Sequence, residues 1–241
     1  MIPSITKELP DGQTALYAWF SAMHTRVDIL LKADNVRAKH LPDACRDVQN
    51  LISDIESEGN CFASDSLLSR LNAQPPDTRI WGGRYLYDML DGCKRYNVTT
   101  GGYFDVAVES PNYYKGILDA LELHADGSVS RAVADLKINL SGFIKGYALD
   151  KIKELLHAEN IADAVVNMGN SSIMAIGDVP LRMDKPFMTT TGNSAKSPRT
   201  ILNPHTGKVI SACGQVSVFT YSGAEGEALA TKSFIIGSEV T

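Results

Sequence analysis

The sequence has no block of lysine and arginine, no long apolar run, and no cysteine pair at redox or zinc spacing. Each absence excludes a class. Nucleic acid and anionic membrane surfaces need concentrated positive charge to displace counterions, and a chain of formal charge -5 with its 23 basic residues scattered does not offer it. Crossing a bilayer as a helix takes about 18 or more apolar residues in a row, and no such stretch occurs. The N-terminal MIPSITKELPDGQ lacks a basic n-region, an apolar run and a small-residue cleavage site. The expectation is a chain soluble as given, either cytoplasmic or exported with its signal trimmed. Cys45, Cys61, Cys93 and Cys213 are far apart, without a C-x-x-C pair or paired histidines, and are expected to be reduced and mostly buried. Neither G-x-x-x-x-G-K-[ST] nor G-x-G-x-x-G occurs, which removes the common NTP cradle and the dinucleotide fingerprint. A small-molecule or protein partner is what these absences leave.

What is present suffices for a sizeable core. The chain has 241 residues, 44% of them hydrophobic and 21% charged, and a fold of that size hides roughly 70% of the surface exposed by the unfolded chain. TRVDILL at 25–31 alternates Val27, Ile29 and Leu31 with Arg26 and Asp28, the pattern of a half-buried strand. From Asp43 to Glu58 the period changes, as Ala44, Val48, Leu51, Ile52 and Ile55 recur at helical spacing behind Pro42-Asp43. Trp81, Tyr85, Met89 and Cys93 predict a second helix over roughly 80–96, and between the two Ser64 or Asp65 can cap a short turn that ends at Pro75-Pro76. Residues 137–140 read as a short strand feeding a helix over 142–156, with Phe143, Tyr147, Leu149, Ile152 and Leu156 inward. DAVVNMG, SSIMAIG, PFMTTTG, TILN, KVISACG and QVSVFTY then predict an antiparallel sheet, and GEALATKSFIIG closes the chain as a helix. The expected fold is α+β, mainly antiparallel sheets flanked by helices, as one domain over 1–241 or two intimately packed subdomains.

LSGFIKGYALD at 140–150 gathers two glycines, a serine and a lysine where a helix begins. A helix N-terminus offers N–H donors and about half a positive charge to an anion, and Lys145 adds a full charge, so the stretch reads as a phosphate seat with Ser141, Gly142 and the first-turn N–H groups unobstructed. Equally, Gly142 and Gly146 can serve close helix packing, and both readings stay open. TTGGYFDVAV sets Tyr103, Phe104 and Asp105 behind two glycines, a ring beside a carboxylate that suits a flavin or purine contact, or a core aromatic. NMGNSS at 167–172, TTTGNS at 189–194 and NPHTG at 203–207 are polar glycine turns that can bond a ligand edge or simply turn. On the terminal helix Glu227 and Thr231 point the same way. With a main-chain carbonyl they suit a hard cation such as Mg²⁺; without one they are a solvated face.

Taken in order, these stretches resemble the ApbE family of flavin transferases. AMHTRVDI is similar to the family's "MGT" strand, FASDSLLSRLN to its "S-x-x-S-x-L-S-R-L-N" turn, TGGYFDVAV to its "GG-x-FD" turn and NLSGFIKGYALDKI to its "D-L-G-G-I-A-K-G-Y-A-V-D" segment. NMGNSSIMAIG, TTTGNS, NPHTG and GEALATKSFIIG then resemble its glycine turn, "T-S-G", "D-P-x-T-G" and "A-D-A-L-A-T" helix, so the likeness runs from about residue 15 to the end. It implies an α+β fold that binds FAD, and a Mg²⁺-dependent transfer of FMN from FAD to a threonine of an acceptor flavoprotein, with release of AMP. It implies that Met23, Phe62, Tyr103, Phe104, Asp105, Asn139, Lys145 and Ile201 face FAD, and that the Gly142 carbonyl, Glu227 and Thr231 meet the metal. Asn139 and Glu227 stand where the family has aspartates, Met23-His24-Thr25 where it has "MGT", and Gly169-Asn170 where it has "GG". Thr200 falls on the family's histidine in "H-x-x-x-P-x-T-G", the proposed base, and Asn203 replaces the acid before the proline. A threonine is no base near neutral pH; His205 and His24 are the substitutes at hand. Beside the transferase stand a noncatalytic FAD-binding paralogue and a Mg²⁺-dependent FAD pyrophosphatase.

Overall fold

The alternation read at 25–31 becomes one strand of a large sheet in the computed structural model, which describes residues 2–193 and 200–239. In chain order the elements are β1 (Ser4–Glu8), β2 (Gln13–Ala22), β3 (Thr25–Asp34), α1 (Leu41–Gly59), α2 (Leu67–Ala73), β4 (Ile80–Trp81), α3 (Leu86–Thr99), β5 (Leu121–Leu123), β6 (Ser128–Arg131), α4 (Ile144–Ala158), β7 (Asp163–Met168), β8 (Ser172–Ile176), β9 (Phe187–Asn193), β10 (Gly214–Thr220) and α5 (Gly223–Glu239). The fold class is α+β. A seven-stranded sheet has the order β1-β2-β3-β7-β8-β9-β10, antiparallel from β1 through β9. A smaller antiparallel sheet has the order β4-β6-β5. Among the described residues no helix is long and apolar enough to cross a membrane.

The chain divides into two compact units. The first comprises Met1–Asp54, Lys145–Thr190 and Val218–Gly226. Its core follows from register: Val27 pairs with Met168, Ile29 with Val166 and Leu31 with Ala164, and all six side chains are fully buried. Leu149, Ile152 and Leu156 form the buried stripe of α4, at the spacing the sequence shows. A Cβ at Gly223 would lie 2.4 Å from the Gly146 carbonyl oxygen, so the chain needs glycine there for two backbones to touch. The N-terminus of α5 is held by Asp150, whose carboxylate accepts from Gly223 N at 2.6 Å, Ser222 Oγ at 2.8 Å and Ala224 N at 2.9 Å. Burial pushes the Asp150 carboxyl above the usual range, against those three bonds.

The second unit comprises Ile55–Ile144, Thr191–Ser217 and Glu227–Thr241. Leu68, Leu71, Leu86, Met89, Leu90, Cys93, Ile117, Val129, Leu136 and Ile138 fill its core. Here the sequence reading is corrected in several places. The helix expected over 80–96 starts at Leu86, because Ile80 and Trp81 pair with Val129 and Ser128 as β4. Gly83 turns the chain at φ +70, and the Glu58 carboxylate then accepts from the N–H groups of Arg84, Tyr85 and Leu86 at 3.0, 2.7 and 2.8 Å. The short helix is capped by Ser66, whose side chain accepts from Ser69 N, not by Ser64 or Asp65. Residues 137–140 form no strand. TILN and KVISACG give only an isolated bridge between Leu202 and Val209. All four cysteines are free; Cys45 and Cys93 are buried, Cys61 is partly buried and Cys213 is exposed.

Candidate functional site

In the second unit, the turn at Ser141-Gly142 is built from behind by side chains rather than by a sheet. Asn72 clamps Ile138 from both sides, its Nδ2 donating to the Ile138 carbonyl at 2.8 Å and its Oδ1 accepting from the Ile138 N–H at 2.9 Å. Ser110 does the same for Lys137, at 2.9 and 3.2 Å, and Asn139 N donates to the Val106 carbonyl at 2.8 Å. These bonds satisfy the backbone of a segment that is extended but unpaired, as burial demands. The Asn139 amide is then fixed in turn: Oδ1 accepts from Ser141 N at 2.9 Å and from the Cys61 thiol at 3.3 Å, while Nδ2 donates to Glu109 at 2.8 Å. Burial, with the Glu109 charge as a smaller cause, pushes the Cys61 thiol up.

This geometry corrects the reading of the helix start. The N–H of Ser141 is taken by Asn139, and those of Phe143 and Ile144 by the Leu140 carbonyl, so these donors serve the turn and not an anion. Gly142 itself is exposed, and a Cβ there would meet nothing within 4 Å. Packing therefore does not explain the glycine at 142. Phe62, in the turn before α2, is 70% exposed.

Behind Gly101 and Gly102, at φ +73 and +84, the chain turns into Tyr103-Phe104-Asp105. Phe104 is buried and meets Phe143 at a centroid distance of 5.8 Å, so its ring belongs to the core. Tyr103 stacks on His205 at 4.2 Å, and with Ile201 it packs against Ile210, Phe234 and Ile235. The structure thus brings two of the expected residues, Tyr103 and Ile201, into one cluster. His205 Nε2 lies 3.1 Å from the Gly101 carbonyl and Nδ1 lies 3.4 Å from Lys115 Nζ. A carbonyl only accepts and an ammonium only donates, so the ring carries its hydrogen on Nε2. Asp105 is buried, accepting from Ala107 N and Tyr113 Oη, each at 2.8 Å. Burial raises its carboxyl, and burial together with this carboxylate raises the Tyr113 hydroxyl.

On α5, Glu227 is buried, and Thr231 follows one turn later with its Oγ1 3.5 Å from Thr191 Oγ1. One carboxylate and hydroxyls form an all-oxygen donor set, which fits a hard divalent cation that keeps several waters. No group of three His, Cys, Asp or Glu that could hold a metal ion gathers among the described residues. Thr200 is exposed in irregular chain. Asn203 is buried and accepts from His205 N at 2.8 Å, closing the NPHTG turn. Ser194 of TTTGNS lies outside the described residues. An open cleft of about 620 Å³, lined by Arg79, Lys94, Glu122 and His124 among others, contains none of the residues expected to face FAD or the metal.

Two expected residues belong to the first unit. Met23 and His24 make the turn between β2 and β3 at φ 48 and 55, a conformation that non-glycine residues adopt at a cost of about 1–3 kcal/mol each. Lys145 donates to the Ser171 hydroxyl, which follows the Gly169-Asn170 turn at φ 66 and 59. Gly169 is required there, since a Cβ would fall 2.1 Å from Thr25 Oγ1. Sequence reasoning missed Asn72, Glu109 and Ser110 as contributors; Asn72 was in view as the last residue of SRLN, but only its partner Ile138, 66 positions on, reveals its work.

The comparisons with known proteins agree with this architecture. The model of the ApbE family matches residues 23–188. The FAD:protein FMN transferase of Treponema pallidum (strain Nichols) is 27% identical over 161 residues, which are 56% of this chain and 44% of that protein. The match thus takes in less than half the length of that relative. A mutant of the flavin transferase ApbE from Vibrio cholerae superposes with a TM-score of 0.78 at 20% identity, covering 92% of this chain and 87% of the other. The ApbE protein of Thermotoga maritima gives 0.77 at 17% identity, over 93% and 88%. The flavinyl transferase ApbE of Pseudomonas stutzeri, in its apo form, gives 0.75 at 17%, over 96% and 83%. At such identities the structures speak for the fold, and the family model, matching well over half of the sequence, speaks for descent: the chain belongs to the ApbE family.

Proposed function

We propose that this chain binds FAD and, with Mg²⁺, transfers FMN from it to a threonine of an acceptor flavoprotein, releasing AMP. The observation that carries the reading is the family match over 23–188, a span that takes in Met23, Phe62, Tyr103, Phe104, Asp105, Asn139, Gly142 and Lys145. Local features support it. Gly142 stands exposed without any packing need for glycine, the strained Met23-His24 turn is the kind of conformation that persists at ligand sites, and Phe62 is a largely exposed aromatic.

In the transfer, the acceptor threonine oxygen bonds to the FMN phosphorus, the bond from that phosphorus to the AMP oxygen breaks, and the threonine proton passes to a base. Lys145 would pair with the pyrophosphate, with Ser171 steadying its ammonium. Phe62 and Tyr103 would lie against rings of the dinucleotide. Glu227, Thr231 and the Gly142 carbonyl would hold Mg²⁺, whose chemistry when bound is to draw charge from a pyrophosphate.

A second reading has one observation of its own. Thr200 is an exposed hydroxyl at the position of the expected base, and this favours a protein that holds FAD without turning it over. Incubating the protein with FAD, Mg²⁺ and a threonine-bearing peptide separates the readings. Peptide that gains FMN, with one AMP per addition, is the expected result. Free FMN and AMP with bare peptide would indicate a pyrophosphatase, bound but intact FAD would indicate the noncatalytic paralogue, and failure to bind FAD overturns all three.

A further inference from the structure

Among the groups bonded to Asn139, Glu109 is an exposed carboxylate that keeps acceptor capacity. The Asn139 oxygen has both lone pairs engaged, by Ser141 N–H at 2.9 Å and the Cys61 thiol at 3.3 Å, and its nitrogen is committed to Glu109 at 2.8 Å. Flipping the amide would set its NH₂ against the Ser141 N–H, so its orientation is locked. The amide's acceptor end is thus closed to a ligand. Glu109 is exposed, and a carboxylate has about four lone-pair sites, of which Asn139 takes one. The acidic function at this corner therefore sits one side chain out from residue 139.

We propose that Glu109 is a further residue of the flavin site, its carboxylate accepting a hydrogen bond from a hydroxyl or N–H of the bound dinucleotide while orienting the Asn139 amide. The inference rests on the FAD reading above. Charge selects the partner: a carboxylate repels a pyrophosphate, so the group it meets is one of the neutral donors of the ribityl, ribose or ring portions. Glu109 is thereby a specificity-determining residue, favouring ligands that carry a donor at that point.

The test is FAD binding followed by flavin fluorescence, with the Cys61 alkylation rate as a second readout. Glu109→Gln keeps the size and the acceptor for Asn139 but removes the charge; it should weaken FAD binding about tenfold or more, the effect of losing a charged hydrogen bond. The same change should speed alkylation of Cys61, since the neighbouring negative charge opposes the thiolate. Asn139→Asp would place a second carboxylate beside the first, with no N–H left for Glu109 to accept, and should weaken binding as well. Parallel titrations with FMN and AMP assign the donor to whichever half shows the E109Q loss. Parent protein that binds FAD while E109Q binds equally well overturns this inference alone. Parent protein that binds no FAD overturns it together with the flavin reading.

Discussion

Asn72→Ala is the perturbation whose cost can be worked most directly from the structure. The side chain makes two hydrogen bonds, at 2.8 and 2.9 Å, to both backbone groups of Ile138, a residue with no exposed surface. Each such bond contributes about 1 kcal/mol net, and each buried backbone group left without a partner costs about 1–3 kcal/mol. The substitution should therefore destabilise the protein by about 2–5 kcal/mol, a large part of the 5–15 kcal/mol typical of a folded chain. In a chain of this size, that lowers Tm by roughly 4–20 °C. Asn72→Asp keeps the acceptor for the Ile138 N–H but loses the donor, and should fall between N72A and the parent. Because Ile138 leads into Asn139 and the Ser141-Gly142 turn, FAD affinity should fall as well. Thermal unfolding by circular dichroism reads the first effect and flavin fluorescence the second. An N72A melt within about 2 °C of the parent would mean that Ile138 finds other partners, and the account of how this turn is held would be wrong.

Other expectations follow from the same geometry. Glu58→Ala removes the carboxylate that receives three N–H groups at the start of α3 and should cost about 1–3 kcal/mol, read by urea unfolding; an unchanged midpoint would contradict the cap. Asp105 and Asp150 both have carboxyls raised above the usual range by burial, so the folded state holds these protons more tightly than the unfolded chain. Their contribution is full below the unfolded value and is lost as pH rises through the folded one, and Asp105→Asn should flatten the decline in stability measured as pH rises above the ordinary carboxylate range. Unchanged slope would show that the site titrates like an exposed carboxylate. Glu227→Gln should weaken Mn²⁺ binding, measured by electron paramagnetic resonance with FAD present, about tenfold or more; equal binding would put the cation elsewhere.

Periodicity made the long elements legible. Val27, Ile29 and Leu31, and the helical runs in α1 and α4, bury the faces their spacing marks, and DAVVNMG, SSIMAIG, PFMTTTG and QVSVFTY became β7 to β10. What failed was local structure decided by distant partners. Ile80 and Trp81 look helical until β6 offers them a ladder, and Ile138 looks like a strand until Asn72 supplies its bonds from another helix. No short window of sequence holds that information. At the candidate site, the residue types around Ser141 were visible, but the commitment of the Ser141, Phe143 and Ile144 N–H groups to the turn itself was not. Glu109 carried no motif and emerges only through its bond to Asn139.

The central claim is that oxygen atoms of Gly142, Glu227 and Thr231 hold the divalent ion that accompanies FAD on this chain. A crystal grown with FAD and Mn²⁺, measured at a wavelength where manganese scatters anomalously, tests it most directly. The account predicts an anomalous peak in contact with those three residues and with the dinucleotide's phosphates. FAD bound with its phosphates and manganese away from Glu227 would contradict it.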